Sequence, residues 1–390
     1  MTSADRPFGA RYLAVLASAV ICYAALGAVL REVPDYVQHH LGGSALEVGL
    51  TVGAPSLTGA LLRPVGGRAA DRFGPAPVLM VGALVMAVGV GPAVIADLPA
   101  LLVSRLLVGA GEALMMSAAV LWLLTLAGPD RRGVALGHIG LANYAGLAAG
   151  PLLAEAVGAG SHTDALWLMA AILPVVGTIG AALLPHPEPR PTARDRSPDA
   201  GAGIRRQTLR PGIGLLLVNV GYVSVLSFGA AAANRQGLHA AALIVPLFGI
   251  GVIASRTLLA GVPDRLGGPR TLVLAVLTEG VGLVAFGEGG RAPLVIAGLV
   301  ILSLGQGLAV PALGLIALGP IPAEQQGAAA GMFFAYFDAG VGLGGPAVGA
   351  AAGAFDPQVA IVMAGAAVAA AAPVVLVSRI SRNAINSAYE

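Results

Sequence analysis

The chain has 390 residues, of which 57% are hydrophobic and only 11% are charged, whereas soluble proteins carry about 25% charged residues. This composition excludes an ordinary soluble globular domain, and a net charge of only +2 gives no sign of a nucleic-acid partner. The apolar residues are mainly small and aliphatic, with aromatic residues at 5%. Small side chains let helices approach closely in a bilayer, so the composition predicts a multi-pass membrane protein.

Apolar runs recur along the whole chain, and about 20 residues are enough to cross the hydrocarbon of a bilayer. Twelve runs are predicted to be membrane helices, because glycine and proline within them are tolerated in such helices. The first run is longer than the apolar part of a signal peptide and is interpreted as an uncleaved span. The predicted spans are residues 11–33, 45–66, 76–96, 99–126, 134–158, 164–184, 211–233, 240–261, 270–288, 292–318, 325–351 and 357–378.

A polar segment rich in proline and arginine, residues 185–210, separates the sixth predicted span from the seventh. Its composition predicts a linker and not a span. The chain is therefore divided into an N-terminal six-helix bundle, residues 1–184, and a C-terminal six-helix bundle, residues 211–390. The predicted fold class is an all-α membrane protein with twelve transmembrane helices.

The arginines predict the orientation of the chain, since basic residues collect in cytoplasmic loops. If the N-terminus is inside, the outer loops hold only Arg31, Arg235 and Arg291, and the linker and the other basic segments are cytoplasmic. An even number of spans then places both termini in the cytoplasm.

A charged segment, residues 63–74, returns as residues 256–267 after the second span of the other half. Each copy begins with arginine, has an Asp-Arg pair at the ninth and tenth positions, and ends with glycine. The two glycines of Gly109–Gly111 also match those of Gly305–Gly307, and Gly150-Pro151 matches Gly345-Pro346. The halves are therefore predicted to be pseudo-symmetric, with each charged segment forming a cytoplasmic turn.

At these residues the chain resembles the major facilitator superfamily of secondary transporters. The pattern Gly67-x-x-x-Asp71-Arg72-x-Gly74 is similar to the signature loop between helices two and three of that family. Pro75 and Ala76 stand where the family usually has two basic residues.

Two further patterns carry the resemblance. Arg105-x-x-x-Gly109-x-Gly111 resembles the second motif of the family, and Gly146-x-x-x-Gly150-Pro151 resembles the motif of its exporter, or antiporter, branch. Ala154 and Glu155 stand where that last motif usually has paired glycines.

The resemblance implies the major facilitator fold and alternating access, in which the two halves move about a central site. It implies a proton antiporter that exports small, fairly apolar drugs or metabolites, as in the arabinose-efflux-like group, across a bacterial-type inner membrane. The expected partners are protons, a small-molecule substrate and the lipid bilayer, with the protein as a monomer and no cofactor, metal or catalytic residue. A proton symporter or facilitator for uptake remains an alternative, as does a membrane sensor or scaffold without transport.

The charged segments are predicted to act as a conformational latch. Asp71, near the end of the second span, can accept charge-assisted hydrogen bonds from arginine or from helix N-terminal amides. The alternative is that these arginines only set the orientation, and the first arginine of each copy is also placed to reach the interface. The latch candidates are Arg63, Gly67, Asp71, Arg72, Gly74, Arg256, Asp264 and Arg265.

Ionisable residues within spans are costly and usually face a cavity or a partner. Arg105 and Glu112 are seven residues apart, so they share one face of the fourth span. Arg105 matches the family arginine that is linked to proton coupling, and Glu112 is the first candidate for the carboxylate that binds the proton. A structural ion pair is the alternative for Glu112. Asp338 is the other coupling candidate, with a helix–helix hydrogen bond as its alternative, and Glu279 is a competing acid toward the outer end of its span.

Polar and adaptable side chains within the spans are candidates for lining a substrate cavity. Helix packing is an equally good explanation for each of them. The candidates are Met115, Met116, Asn143, Tyr144, Asn219, Tyr222, Gln306 and Tyr336.

Overall fold

A computed structural model describes residues 9–128, 131–158, 163–183, 198–238, 241–322 and 325–386. These residues form twelve α-helices, and the described part of the chain contains no strand. The prediction of an all-α, twelve-helix protein is therefore confirmed.

The first six helices, numbered in chain order, are α1 (Ala10–Asp35), α2 (Ala45–Phe73), α3 (Pro75–Gly89), α4 (Leu98–Ala127), α5 (Arg132–Ala156) and α6 (Thr163–Ala182). A short π-helix, Tyr36–His40, continues α1, and a 3-10 turn, Gly91–Ile95, follows α3. Nine helices in the described ranges are long and apolar enough to cross a membrane, and α1, α2, α3, α4 and α6 are among them.

The second six helices are α7 (Pro198–Arg235), α8 (Ala241–Leu258), α9 (Val262–Glu288), α10 (Ala292–Leu318), α11 (Gln326–Ala354) and α12 (Pro357–Asn386). Of these, α7, α9, α10 and α12 are long and apolar enough to span, and α8 has a shorter apolar stretch. Helix α7 begins at Pro198, inside the segment predicted as a linker, and the rest of that segment up to residue 197 lies outside the described residues.

The helices group into two compact units. The first comprises residues 1–194 with residues 245–250, and the second comprises residues 195–244 with residues 251–390.

Two helices of the first unit begin at side-chain caps. Ser44 and Glu47 form a capping box at α2, in which the Glu47 carboxylate accepts from the Ser44 backbone N–H at 2.6 Å. Asp97 caps α4 by accepting from the backbone N–H of Ala100 at 2.7 Å. Such caps satisfy backbone N–H groups that lack an intrahelical partner.

The sequence predicts a turn at the charged segment 63–74, and this prediction is wrong, because α2 continues through the segment to Phe73. The break comes at Gly74, whose φ of 87° and ψ of 153° are open almost only to glycine. Gly267 repeats this geometry inside the α9 segment, with φ 74° and ψ 158°. In both copies a helical segment therefore ends at a glycine kink, after which the next helix begins. The second copy also contains the short break between α8, which ends at Leu258, and α9, which begins at Val262.

Glycines set the spacing of α4 against its neighbours. A Cβ on Gly109 would overlap the backbone oxygen of Pro55 in α2, and one on Gly111 would lie 2.5 Å from the backbone nitrogen of Met86 in α3. The backbones of these helices therefore lie in direct contact, as small residues allow in membrane helices.

The corresponding glycines of α10 correct the alignment of the repeat. A Cβ on Gly305 would overlap the backbone nitrogen of Glu279 in α9, as one on Gly111 would crowd Met86 in α3. Gly307 instead faces Ser255 in α8. Contacts thus pair Gly111 with Gly305, whereas the sequence pattern had paired Gly109 with Gly305, because the residue identities alone do not tell which neighbour a glycine faces.

Candidate functional site

Glu112 lies in the middle of α4 and is only 8% exposed. The hydroxyl of Tyr23 on α1 donates to its Oε1 atom at 2.7 Å. The Nη2 atom of Arg63 on α2 lies 3.2 Å from Oε1 and 3.4 Å from Oε2. Three helices of the first unit therefore meet at one buried carboxylate.

Close packing of α2 on α4 brings Arg63 within reach of Glu112. A Cβ on Gly66 would lie 3.0 Å from the backbone oxygen of Ala113. Helices α2 and α4 therefore approach closely about one turn of α2 after Arg63. The hydroxyl of Ser117 donates to the backbone oxygen of Arg63 at 3.2 Å, as well as to that of Ala113. The backbone that carries Arg63 is thereby fixed to α4.

The ion pair changes the interpretation of Arg63, which the sequence pattern assigned to the cytoplasmic latch. Asp71 is half-buried eight residues further along α2, about 12 Å along the helix axis.

Tyr23 was not singled out by the sequence at all. A tyrosine in an apolar run is common, and only the packing of α1 on α4 shows that its hydroxyl meets an acid.

Arg105 and Glu112 share α4, but the structure gives them different partners. Arg105 is 3% exposed, and its Nε atom donates to the backbone oxygen of Thr51 on α2 at 3.2 Å. In the described part of the chain it forms no ion pair. It lines a narrow crevice between α1, α3, α4 and α6, with Ala25, Met86 and Trp167 among the apolar walls.

The exporter-like motif of α5 packs on α1 beside Tyr23. A Cβ on Gly146 would lie 2.6 Å from the Tyr23 Cβ, and Gly150 lies against the backbone of α1 one turn further on. Glu155, which replaces a motif glycine, accepts from the guanidinium of Arg31 at 2.8 Å and so joins α5 to α1 again.

The remaining candidates of the first unit occupy different surroundings. Met115 is fully buried, packs against Gly82 of α3, and belongs to the hydrophobic core around Trp122. Met116 and Tyr144 are also buried, whereas Asn143 is half-buried. Met115 and Met116 therefore contribute to packing of α4 in this structure.

In the second unit, Asn219 is fully buried on α7 and donates to the backbone oxygen of Leu215 at 2.7 Å. Tyr222, one turn further, has its ring centroid 5.8 Å from that of Phe337 on α11. The ring of Tyr336 packs over Gly212 of α7, and Asp338 is buried on α11.

Gln306 is fully buried on α10 and faces Glu279 of α9, which is 1% exposed. With its side-chain nitrogen turned toward the acid, Gln306 donates to the two carboxylate oxygens at 3.1 and 3.2 Å. The sequence had named both residues but had not placed them together, because they lie on different helices.

The residues of the charged segments differ in exposure between the copies. Arg72 is exposed and lies over the ring of Phe73, 5.1 Å from its centroid. Asp264 and Arg265 are exposed at the start of α9, whereas Asp71 is half-buried and Arg256 is half-buried on α8. The first copy is therefore the more deeply packed of the two.

Comparison with known proteins supports the architecture. The family profile of the Major Facilitator Superfamily matches residues 14–260. An uncharacterised MFS-type transporter of Salmonella typhimurium is 30% identical over 86% of this chain and 88% of its own length. One of Burkholderia mallei is 29% identical over 93% of this chain and 90% of its own length.

Solved structures share the fold. The nucleoside transporter NupG superposes with a TM-score of 0.79 and 14% identity, covering 94% of this chain and 98% of its own. A bacterial homologue of the lysosomal transporter Spinster, in an inward-facing and occupied conformation, gives a TM-score of 0.73 and 16% identity over 94% and 96% of the two chains. The chain therefore belongs to the Major Facilitator Superfamily and is a multi-pass membrane transporter, not an enzyme.

Proposed function

We propose that this transporter exports small, fairly apolar molecules, drugs or metabolites, in exchange for protons across a bacterial inner membrane. It works as a monomer by alternating access. The observation that carries the proposal is the carboxylate of Glu112, buried on α4 between the hydroxyl of Tyr23 and the guanidinium of Arg63.

The Glu112 cluster gives proton binding a mechanical consequence. An ionised Glu112 holds Arg63 by charge and Tyr23 by a charge-assisted hydrogen bond. A proton on Glu112 removes the attraction for Arg63 and leaves α1, α2 and α4 joined less strongly. A switch of this kind biases a structure between two packings when charge changes at one site.

The surroundings of the cluster support export. The motif that resembles the exporter branch packs α5 on α1 at Tyr23, the residue that binds Glu112. Movement of α1 relative to α5 therefore acts on the hydrogen bond to the carboxylate. The apolar composition of the helices favours a substrate of low polarity, and Arg105, buried in the adjacent crevice, holds α4 to α2 through Thr51.

The substrate is identified first. The purified protein is screened by thermal shift against a panel of drugs and metabolites at two pH values, since a ligand of the native state raises its stability by mass action. The hits are then tested for flux in proteoliposomes with an imposed pH gradient.

The decisive comparison is Glu112→Gln against Glu288→Gln, which removes an exposed acid at the end of α9. We expect Glu112→Gln to lose gradient-driven transport while it retains substrate binding and exchange, and Glu288→Gln to behave as the wild type. Gradient-driven transport by Glu112→Gln at the wild-type rate overturns the role of Glu112. Substrate movement in the same direction as protons makes the protein a symporter, and flux unaffected by the gradient makes it a facilitator.

A further inference from the structure

The second unit contains a buried acid that the proposed function does not use. Glu279 of α9 is 1% exposed, less than Glu112. Ionisable residues this deep in a membrane bundle are costly, so a transporter that keeps one generally uses it.

The Glu279 side chain lies between three helices, α7, α9 and α10. Gln306 on α10 donates to its carboxylate oxygens at 3.1 and 3.2 Å. Gly305, next to it, allows α10 to touch the backbone of α9 at Glu279, and a Cβ on Gly221 of α7 would lie 2.8 Å from Oε1. The two glycines therefore leave the space that the carboxyl group of Glu279 occupies, and a larger side chain at either position would fill that space.

Charged partners are absent from the described surroundings of Glu279. It forms no ion pair in the described part of the chain, so Arg256, the repeat counterpart of Arg63, does not neutralise it. On α9 itself the nearest charged residues are Arg270 and Glu288, each nine positions away or about 13 Å along the axis.

Among the described contacts, helices α7, α10 and α12 pack on α9. Helix α10 has no ionisable residue. On α7 the nearest charged residue is Arg210, about 16 Å along the axis from Gly221, and the nearest titratable group is the phenol of Tyr222, whose ring packs on Phe337 of α11. On α12 the sequence places arginine only at 379 and 382, eleven or more positions beyond Val368, which lies beside Gly221. The remaining charged residues of α7 are Asp199, Arg205, Arg206 and Arg235.

A single neutral amide does not offset a buried negative charge. Removing a carboxylate from water carries a desolvation cost that remains large even after the protein relaxes, and hydrogen bonding to one amide does not offset it. A protonated carboxyl group avoids that cost and still hydrogen-bonds to an amide. The state that this surrounding favours is therefore the neutral acid.

The internal repeat allows the position of Gln306 in the second unit to be compared with the position of Glu112 in the first. Gly111 and Gly305 make equivalent contacts with α3 and α9, so Glu112 and Gln306, the residues that follow them, are counterparts. In the first unit this position holds the acid and an arginine neutralises it. In the second it holds the amide, and the acid is on α9.

We propose that Glu279 and Gln306 form a proton-binding site in the second bundle, in which the proton provides the neutralisation that Arg63 provides for Glu112. The site is distinct from the Glu112 cluster, and its presence does not depend on the direction of transport.

Infrared spectroscopy of the purified, lipid-reconstituted protein tests the site directly. The carbonyl stretch of a protonated carboxyl group lies at a higher frequency than the stretches of a carboxylate or of a glutamine amide, and it shifts in deuterated water. We expect this band in the wild type at neutral pH, its loss in Glu279→Gln, and its retention in the matched variant Glu288→Gln.

Gln306→Leu gives a second test if Glu279→Gln does not fold. Loss of the amide partner should move the carbonyl band to the position of a carboxyl group without a hydrogen bond. A wild-type spectrum in which Glu279 contributes only carboxylate bands overturns the proposal, as does a band that Gln306→Leu leaves in place. Carboxylate bands that change on addition of sodium at constant pH would also overturn it, since the ligand would then be a metal cation.

Discussion

Arg63 and Glu112, 49 positions apart in the chain, form an ion pair of 3.2 Å that joins α2 to α4 inside the first unit. The arginine side chain is 20% exposed and the glutamate side chain 10%, so solvent screens the pair only in part. The Tyr23 hydroxyl binds the same carboxylate oxygen as the closer arginine contact.

Replacement of Arg63 by Gln leaves the Glu112 carboxylate buried without its cation. We expect a loss of about 3 kcal/mol in the free energy of unfolding, which is the lower end of the range for removing one partner of a buried ion pair. The double variant with Glu112→Gln should recover a large part of that loss, because neither charge is then left uncompensated. Denaturation in detergent micelles measures both, and strictly additive losses would show that the pair contributes no coupling energy.

Replacement of Gly109 by Ala should disrupt the contact of α4 with α2, because the new Cβ overlaps the backbone oxygen of Pro55. Overpacking of this kind typically costs about 1–3 kcal/mol. Gly137 on α5 is the matched control, since a Cβ there meets no atom within 4 Å. We expect Gly137→Ala to be neutral or slightly stabilising. Equal melting temperatures for the two variants would contradict this account of α4 packing.

Replacement of Gly267 by Ala tests the kink that follows the second charged segment. The backbone there has φ 74° and ψ 158°, and a Cβ would meet nothing within 4 Å, so the expected cost comes from the backbone alone. That cost is about 1–3 kcal/mol. Asn should not rescue the position, because its tolerance is for the left-handed helical region, where ψ is much smaller. The control is Gly314→Ala in α10, which also has open space, and a Gly267→Ala variant as stable as this control would rule out strain.

Replacement of Asp71 by Asn tests the conformational latch. Asp71 is half-buried at the end of α2, whereas its repeat counterpart Asp264 is exposed. We therefore expect Asp71→Asn to shift the populations of inward-facing and outward-facing states, and Asp264→Asn to shift them less. Labelling of single cysteines introduced on each side of the membrane measures the populations. Unchanged populations together with an altered substrate profile would count against the latch.

The sequence alone determined the class of fold, because what makes a segment a membrane helix is contained in that segment. A bilayer requires every spanning backbone to satisfy its hydrogen bonds within a helix, so apolar runs of sufficient length were enough to predict twelve helices. The repeat was visible because the arginine, the Asp-Arg pair and the final glycine recur at the same spacing. The structure explains the two glycines, since Gly74 and Gly267 take a backbone conformation that few other residues adopt. The end of α2 was misjudged because arginine and aspartate read as loop residues, although both are compatible with a helix that continues to Phe73.

The partners of the buried charges were decided only by the tertiary structure. Spacing along α4 placed Arg105 and Glu112 on one face, but Glu112 meets Arg63 and Tyr23, and Arg105 meets the backbone of Thr51. Gln306 likewise meets Glu279 of another helix. Helical periodicity fixes which residues share a face, whereas the side chain opposite that face depends on how closely the glycines let two helices approach. A charge in a membrane helix can thus be found from the sequence, but what neutralises it is set by packing between helices.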